Sequence, residues 1–251
     1  MQIATKAYNV EHTRNTNSYT LYLQPPNSVY MNELYESITK TNILSYAFHN
    51  EVDNEVEDEK AEAEDEEDNK IDNTDQDQDQ DQESISFTAE SVKSLSTFLK
   101  KGKLTNQETI KMIHDLSKQI AYLETKLLAF YGYNLDDILI INNDTFFIAS
   151  TKNLTRIEAK NNSIYFYKPI IKPYFSNPEL NELTKLPAKI DYRSSYYSLG
   201  ALILFCSTNI YIFSELKETD TILSPIHYTK LYWFLKRCFH EDCKQRVLLF
   251  I

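Results

Sequence analysis

Between Tyr196 and Cys206 the chain reads YYSLGALILFC, apolar or small on every face. A helix of that composition has no side to turn to water, so it predicts an element enclosed by protein, around which the rest of the chain must be arranged. Ser194 or Ser195 is placed to cap it, and Ser198 and Gly200 leave room for another backbone to approach. Upstream, Asn177-Pro178-Glu179 carries the signature of a short helix with proline at its first position.

At 251 residues, 42% hydrophobic and 13% aromatic, the chain can bury a sizeable core as one domain or two small lobes. Its net charge of −11 is unevenly spread. Residues 51–83 hold 18 Asp/Glu and 2 Lys, a net −16, which leaves 24 basic against 19 acidic residues elsewhere and a mildly basic body, net +5. With like charges repelling and almost nothing apolar to bury, residues 50–83 are expected to form a solvated, disordered acidic insertion hung from a hairpin tip. Three cysteines, Cys206, Cys238 and Cys243, fit reduced structural thiols better than a disulfide framework. The first residues, MQIATKAYNVEHT, lack an apolar signal core, and no apolar run is long enough to span a bilayer. The expectation is a soluble, intracellular protein that is not secreted.

Taken in order, Tyr19–Leu23 alternates with period two and stops before Pro25-Pro26, which reads as an edge strand. Met31–Thr39 has helical spacing, Ile43–Phe48 reads as a strand, and Ile85–Phe87 resumes one after the acidic run. Ser94–Lys101 is a short helix ending at Gly102. Thr105-Asn106-Gln107-Glu108 is a capping box, and Ile113, Leu116, Ile120, Leu123 and Leu127 then mark the buried face of a helix expected to reach about Ala129. Leu139–Ile148 reads as a hairpin turned on Asn142-Asn143-Asp144. Residues 149–176 read mostly as loop, broken by an apolar run at Ile164–Tyr167. The last helices begin at Ser224-Pro225 and carry Tyr228, Leu231, Leu235 and Cys238 on one face.

Asn177-Pro178-Glu179 resembles the Ala-Pro-Glu segment that closes the activation loop of eukaryotic-type protein kinases. Ser195-Tyr196-Tyr197-Ser198-Leu199-Gly200 resembles the Asp-x-Trp-Ser-x-Gly start of their buried central helix, at a similar spacing. The resemblance, to kinase-like proteins of the kind found in large DNA viruses, covers about residues 30–251. It implies an α+β, protein kinase-like fold: a reduced N-lobe of a few strands plus one helix over residues 1–92, and a mainly helical C-lobe over 93–251. Thr88–Val92 takes the hinge position. Leu235-Lys236-Arg237-Cys238, with Asp242 and Arg246, resembles the segment whose arginine pairs with the glutamate of Ala-Pro-Glu, so Glu179 and Arg246 are expected side by side.

Phosphoryl transfer needs a catalytic acid, metal ligands and a lysine on the phosphates. Here Phe130, Tyr131 and Gly132 fall at the His, Arg and Asp positions of the catalytic loop, and glycine cannot act as a base. Ser150 replaces the Asp of Asp-Phe-Gly. With Gly102, Gly132 and Gly200 as its only glycines, the chain has no phosphate-cradling loop, and Lys6 stands only loosely for the nucleotide lysine. Asp136-Asp137 reads either as a loop-to-strand junction or as residual chemistry, with Asp137 a magnesium ligand only if nucleotide binds.

The degenerate motifs point to a pseudokinase, an interaction or scaffolding module with no cofactor required. The alternative is a residual or atypical ATP-dependent phosphotransferase, or a nucleotide hydrolase, using Asp136, Asp137 and Asp144 in new roles. A protein partner is expected, with a basic partner addressed through residues 51–83 and no membrane. Nucleic acid is not expected, because no Arg/Lys cluster interleaves the 18 tyrosines along the sequence. The five histidines show no metal-ligand spacing.

Overall fold

The computed structural model describes residues 8–13, 17–23, 29–41, 43–44, 84–212 and 219–250. Lys6, most of the strand expected at 43–48 and the whole acidic run 51–83 lie outside them. The architecture is mixed α and β, with small antiparallel sheets on a helical body.

Strands β1 (Tyr8–Thr13), β2 (Ser18–Leu23) and β3 (Ser84–Thr88) form the first sheet, in that order. β2 is therefore the central strand and not an edge. Its partner β1 escaped notice because YNVEHT offers only two well-spaced apolar residues and turns its last three to solvent. Helix α1 spans Met31–Thr39, as its spacing predicts, and buries Leu34, Tyr35 and Ile38. Ile43 and Leu44 are buried in a turn.

The helical body begins with β4 (Val92–Ser94) and α2 (Leu95–Phe98), capped by the Ser94 hydroxyl. In α3 (Asn106–Thr125) the capping box is complete: the Thr105 amide donates to Glu108 Oε2 at 2.7 Å, and the Glu108 amide donates to Thr105 Oγ1 at 3.3 Å. The helix stops short of Ala129. Leu127 takes a left-handed φ of 56° and is exposed, after which Leu128–Phe130 becomes strand β5. A strand partner thus overrides the helical period at its last step, since β5 pairs with β8 (Leu154–Arg156), inside the stretch expected to be loop.

Strands β6 (Ile138–Ile141) and β7 (Thr145–Ile148) form the expected hairpin. Asn142 and Asn143 have φ of 52° and 64°, the conformation of a type I′ turn. Asn142 Oδ1 also accepts from the Glu90 and Ser91 amides at 2.7 and 3.2 Å, fixing the link between β3 and β4. Buried Gln119 of α3 treats β7 as a strand partner would: it accepts from the Ile148 amide at 2.7 Å and donates to the Ile148 carbonyl at 3.0 Å. Its amide also donates to Ser37 Oγ at 3.1 Å, so one side chain ties α3, β7 and α1 together.

A small two-stranded antiparallel sheet follows, β9 (Ser163–Phe166) with β10 (Ala188–Asp191), and the long connection between them carries α4 (Pro178–Asn181). Helix α5 (Ser194–Thr208) is buried along nearly all its length and shares one continuous core with the first sheet, α1, α3 and α7 (Lys230–Cys238). Neither Ser194 nor Ser195 caps it. Both lie inside its first turn, and the residue before them, Arg193, is held by the Asp191 carboxylate at 2.9 Å. At the same end, Tyr196 Oη donates to Glu124 Oε1 at 2.8 Å, and burial holds the Glu124 carboxyl up to about 7.

Near the C-terminus, α6 spans Thr219–Leu223, and Ser224-Pro225 opens a short 3-10 helix with the proline in its first turn, ahead of the last α-helix. That helix, α7, starts six residues later, capped by the Thr229 hydroxyl. Tyr228 precedes the cap with φ 64° and is 82% exposed, so it leaves the buried face that Leu231, Leu235 and Cys238 share. Among the described residues no helix is long and apolar enough to cross a membrane. The three thiols are free; burial pushes those of Cys206 and Cys238 well up and that of Cys243 to about 12.

Gly200 sets the closeness of α5 and α7. A Cβ there meets Cys238 Cβ at 2.8 Å and the Phe239 ring at 3.0 Å. Gly200→Val is expected to lower stability by about 1–3 kcal/mol through overpacking, despite the better helix propensity of valine. Urea unfolding measures this, and an unchanged midpoint is the contrary result.

Candidate functional site

A cleft of about 850 Å³ opens between the first sheet and the helical body, within the range of small-molecule sites. Tyr8 and Val10 of β1 form one wall, Val92 and Lys93 of β4 the back, and residues 134–137 the floor. Lys152 and Asn153 stand at one side, and residues 171–174 close the front.

The floor is organised by Asn134. Its Nδ2 donates to Asp137 Oδ2 at 2.7 Å while its Oδ1 accepts from the Tyr174 amide at 2.8 Å. Asp137 is buried, and its backbone carbonyl accepts from the Ala149 amide at 2.8 Å. Burial raises the Asp137 carboxyl above its ordinary range, opposed by the hydrogen bond from Asn134. Asn153 Nδ2 reaches the same carboxylate oxygen at 3.4 Å. Asp136 accepts from Ser96 Oγ. The acidic pair thus lines the cleft and is also tied into the α2 junction. Asp144 sits apart, exposed in the β6–β7 turn.

Gly132 has no room for a side chain. A Cβ built there lies 2.8 Å from the Phe175 carbonyl oxygen and 2.8 Å from Pro173 Cγ. The crowding comes from a bridge between Tyr133 and Phe175, whose backbones exchange hydrogen bonds of 3.1 and 2.9 Å. The two residues before it, which the resemblance sets in a catalytic loop, are equally structural: Phe130 is core, and the Tyr131 ring packs edge-on against Phe166 at 5.6 Å. Ser150 is buried, with its hydroxyl accepting from the Lys152 amide at 3.2 Å.

No lysine lies on β2, the strand that precedes α1. Of the two α1 glutamates, Glu36 serves the fold. Glu36 is held below the usual carboxylate range by hydrogen bonds from Lys40, Tyr122 and Lys126, the last two on or just after α3. Among the described residues no group of three His, Cys, Asp or Glu side chains could hold a metal ion.

Away from the cleft, Arg246 is wholly buried and grips Glu179 with both ends of its guanidinium, at 2.7 and 3.0 Å. Its Nε donates to the His240 carbonyl at 2.9 Å, and its plane lies over the Tyr197 ring at 5.2 Å. Pro178 opens α4 as its first residue. Asn177, the cap, accepts from the Leu180 amide at 2.8 Å and donates to the Tyr131 carbonyl and to Ser198 Oγ, both at 3.1 Å. Ser195 and Gly200 lie on buried α5, as structural positions.

Asn134, Asn153, Tyr8 and Tyr174 were not legible as cleft residues. Only the position of Asn134 three residues before Asp137 hinted at its role.

Gly132→Asp, which places a carboxylate where the kinase resemblance would set a catalytic acid, is expected to cost about 1–3 kcal/mol by overpacking and to create no phosphotransferase activity. A variant as stable as the parent in thermal melting would show that the space is available.

No family model and no curated protein matches this chain.

Proposed function

We propose that the chain is a degenerate protein kinase-like domain that works as an interaction or scaffolding module without phosphotransferase activity. The observation that carries this is Gly132. The space a catalytic carboxylate would need is occupied by Pro173 and the Phe175 carbonyl, so base chemistry is lost by packing as well as by substitution. Support comes from the pairing of Glu179 with Arg246, 67 residues apart, at positions that the kinase resemblance relates. Buried Ser150, at the position of a metal-binding aspartate, supplies no charge, and α1 spends Glu36 on α3. Positioning and charge stabilisation are nearly all of phosphoryl-transfer catalysis, so losing them together removes the activity. The function left to such a domain is to hold a protein partner.

A second reading is favoured by one observation: Asp136, Asp137 and Lys152 line the same cleft. In it the chain is a residual phosphotransferase or nucleotide hydrolase, with Asp137 holding magnesium beside a nucleotide.

Thermal melting with and without ATP and magnesium separates the two. A ligand at 100 times its Kd adds about 2.7 kcal/mol of stability, which is readily seen. The scaffold reading predicts no shift and no transfer of radiolabel from γ-labelled ATP to the protein or a generic substrate. Transfer that is abolished by Asp137→Ala overturns it.

A further inference from the structure

The region from β8 to β10 carries a charge imbalance that the net −11 of the chain conceals. Seven basic residues lie between 152 and 189, all exposed, and none is in an ion pair among the described residues. Against them stand exposed Glu158 and Glu182, since Glu179 is already held by Arg246.

The β9–β10 sheet adds aromatic surface to this charge. Its inward residues Ile164, Phe166 and Ile190 fill a small core. The alternation of a strand turns Tyr165 to the opposite face and, in register, Lys189 directly across from it; Tyr167 continues the row. The Tyr165 and Tyr167 rings are parallel to within 13° with centroids 6.1 Å apart, and Tyr167 is 73% exposed. Asn161 Nδ2 donates to Tyr165 Oη at 2.6 Å and steadies the inner ring. Lys168 follows Tyr167, and Lys160 lies in the connection between β8 and β9, both exposed.

We propose that this outward face binds single-stranded nucleic acid, with bases stacking on Tyr165 and Tyr167 and with Lys189 meeting a phosphate, while the exposed lysines that flank β9 in sequence add to the positive field. The rings decide between polyanions. Lysines alone suffice for an acidic peptide, whereas parallel aromatic faces beside lysines form the platform on which unpaired bases stack. A planar base inserted between two rings needs them about 7 Å apart, twice the carbon–carbon contact distance. Exposed Tyr167 has only to swing outward slightly. The site was hidden in the sequence because Lys189 is 24 residues from Tyr165 and meets it only through the β9–β10 register.

The test is fluorescence anisotropy of the full chain with a labelled single-stranded oligouridine at low and physiological salt, with duplex RNA and polyglutamate as competitors. Binding is expected to weaken with salt and to resist polyglutamate better than unlabelled single strand. Tyr167→Ala is expected to weaken it by about 10-fold through loss of one stacked base, and Lys189→Glu to weaken it and flatten the salt dependence. Unchanged melting temperatures show that these surface variants stay folded. Absence of binding at low salt overturns the proposal. So does binding that Tyr167→Ala leaves intact or that polyglutamate displaces as well as oligouridine does, which marks a surface for acidic protein segments.

Discussion

The C-terminal half of the chain is tied together by one half-buried ion pair, a wholly buried Arg246 on a Glu179 whose side chain is 26% exposed. Arg246 has no exposed surface, so its charge is tolerable only because Glu179 takes it bidentately and the His240 carbonyl takes a third donor. The pair binds the end of the chain to the first turn of α4, and Pro178 sets the turn that presents Glu179. One residue earlier, Asn177 spends its whole amide on Leu180, Tyr131 and Ser198. Position 131, α4, α5 and the C-terminal segment are thereby joined in one polar network beneath an apolar helix that cannot satisfy polar groups of its own.

That network also explains the cleft. Holding the chain around Asn177 fixes residues 173–175, which cross beside Gly132 and bridge to Tyr133. Asn134 then links the crossing strand to Asp137. The cleft keeps its volume and two carboxylates, but its floor is committed to hydrogen bonds that serve the fold. A molecule lodged there meets Tyr8, Val10 and Tyr174 around a buried, weakly acidic carboxyl.

What could be read from the sequence was local or carried by strong patterns. The Thr105–Glu108 box, the paired asparagines of the β6–β7 turn, the Asn177-Pro178 cap and the enclosed helix α5 each have a short-range chemical cause, and each formed where expected. The expected partnership of Glu179 and Arg246 came through resemblance, since nothing local relates two residues 67 positions apart. Failures arose where a distant partner outweighed a local preference. Leu127 fits the apolar stripe of α3, yet the chain reverses there because Leu128–Phe130 finds β8. Tyr228 fits the apolar face of the last helix, yet it falls before the Thr229 cap and is exposed, and β1 becomes visible only as the partner of β2. The face carrying Tyr165 and Lys189 likewise exists only in the register of β9 on β10.

The most direct measurement is a double-mutant cycle on the buried pair by equilibrium urea unfolding. Glu179→Ala strands a wholly buried guanidinium and is expected to cost about 3–5 kcal/mol, as is Arg246→Ala, while the double variant falls well short of their sum. Costs that add to within about 0.5 kcal/mol, or single losses below about 1 kcal/mol, are those of an exposed pair. Such a result would contradict the view that this contact anchors the fold.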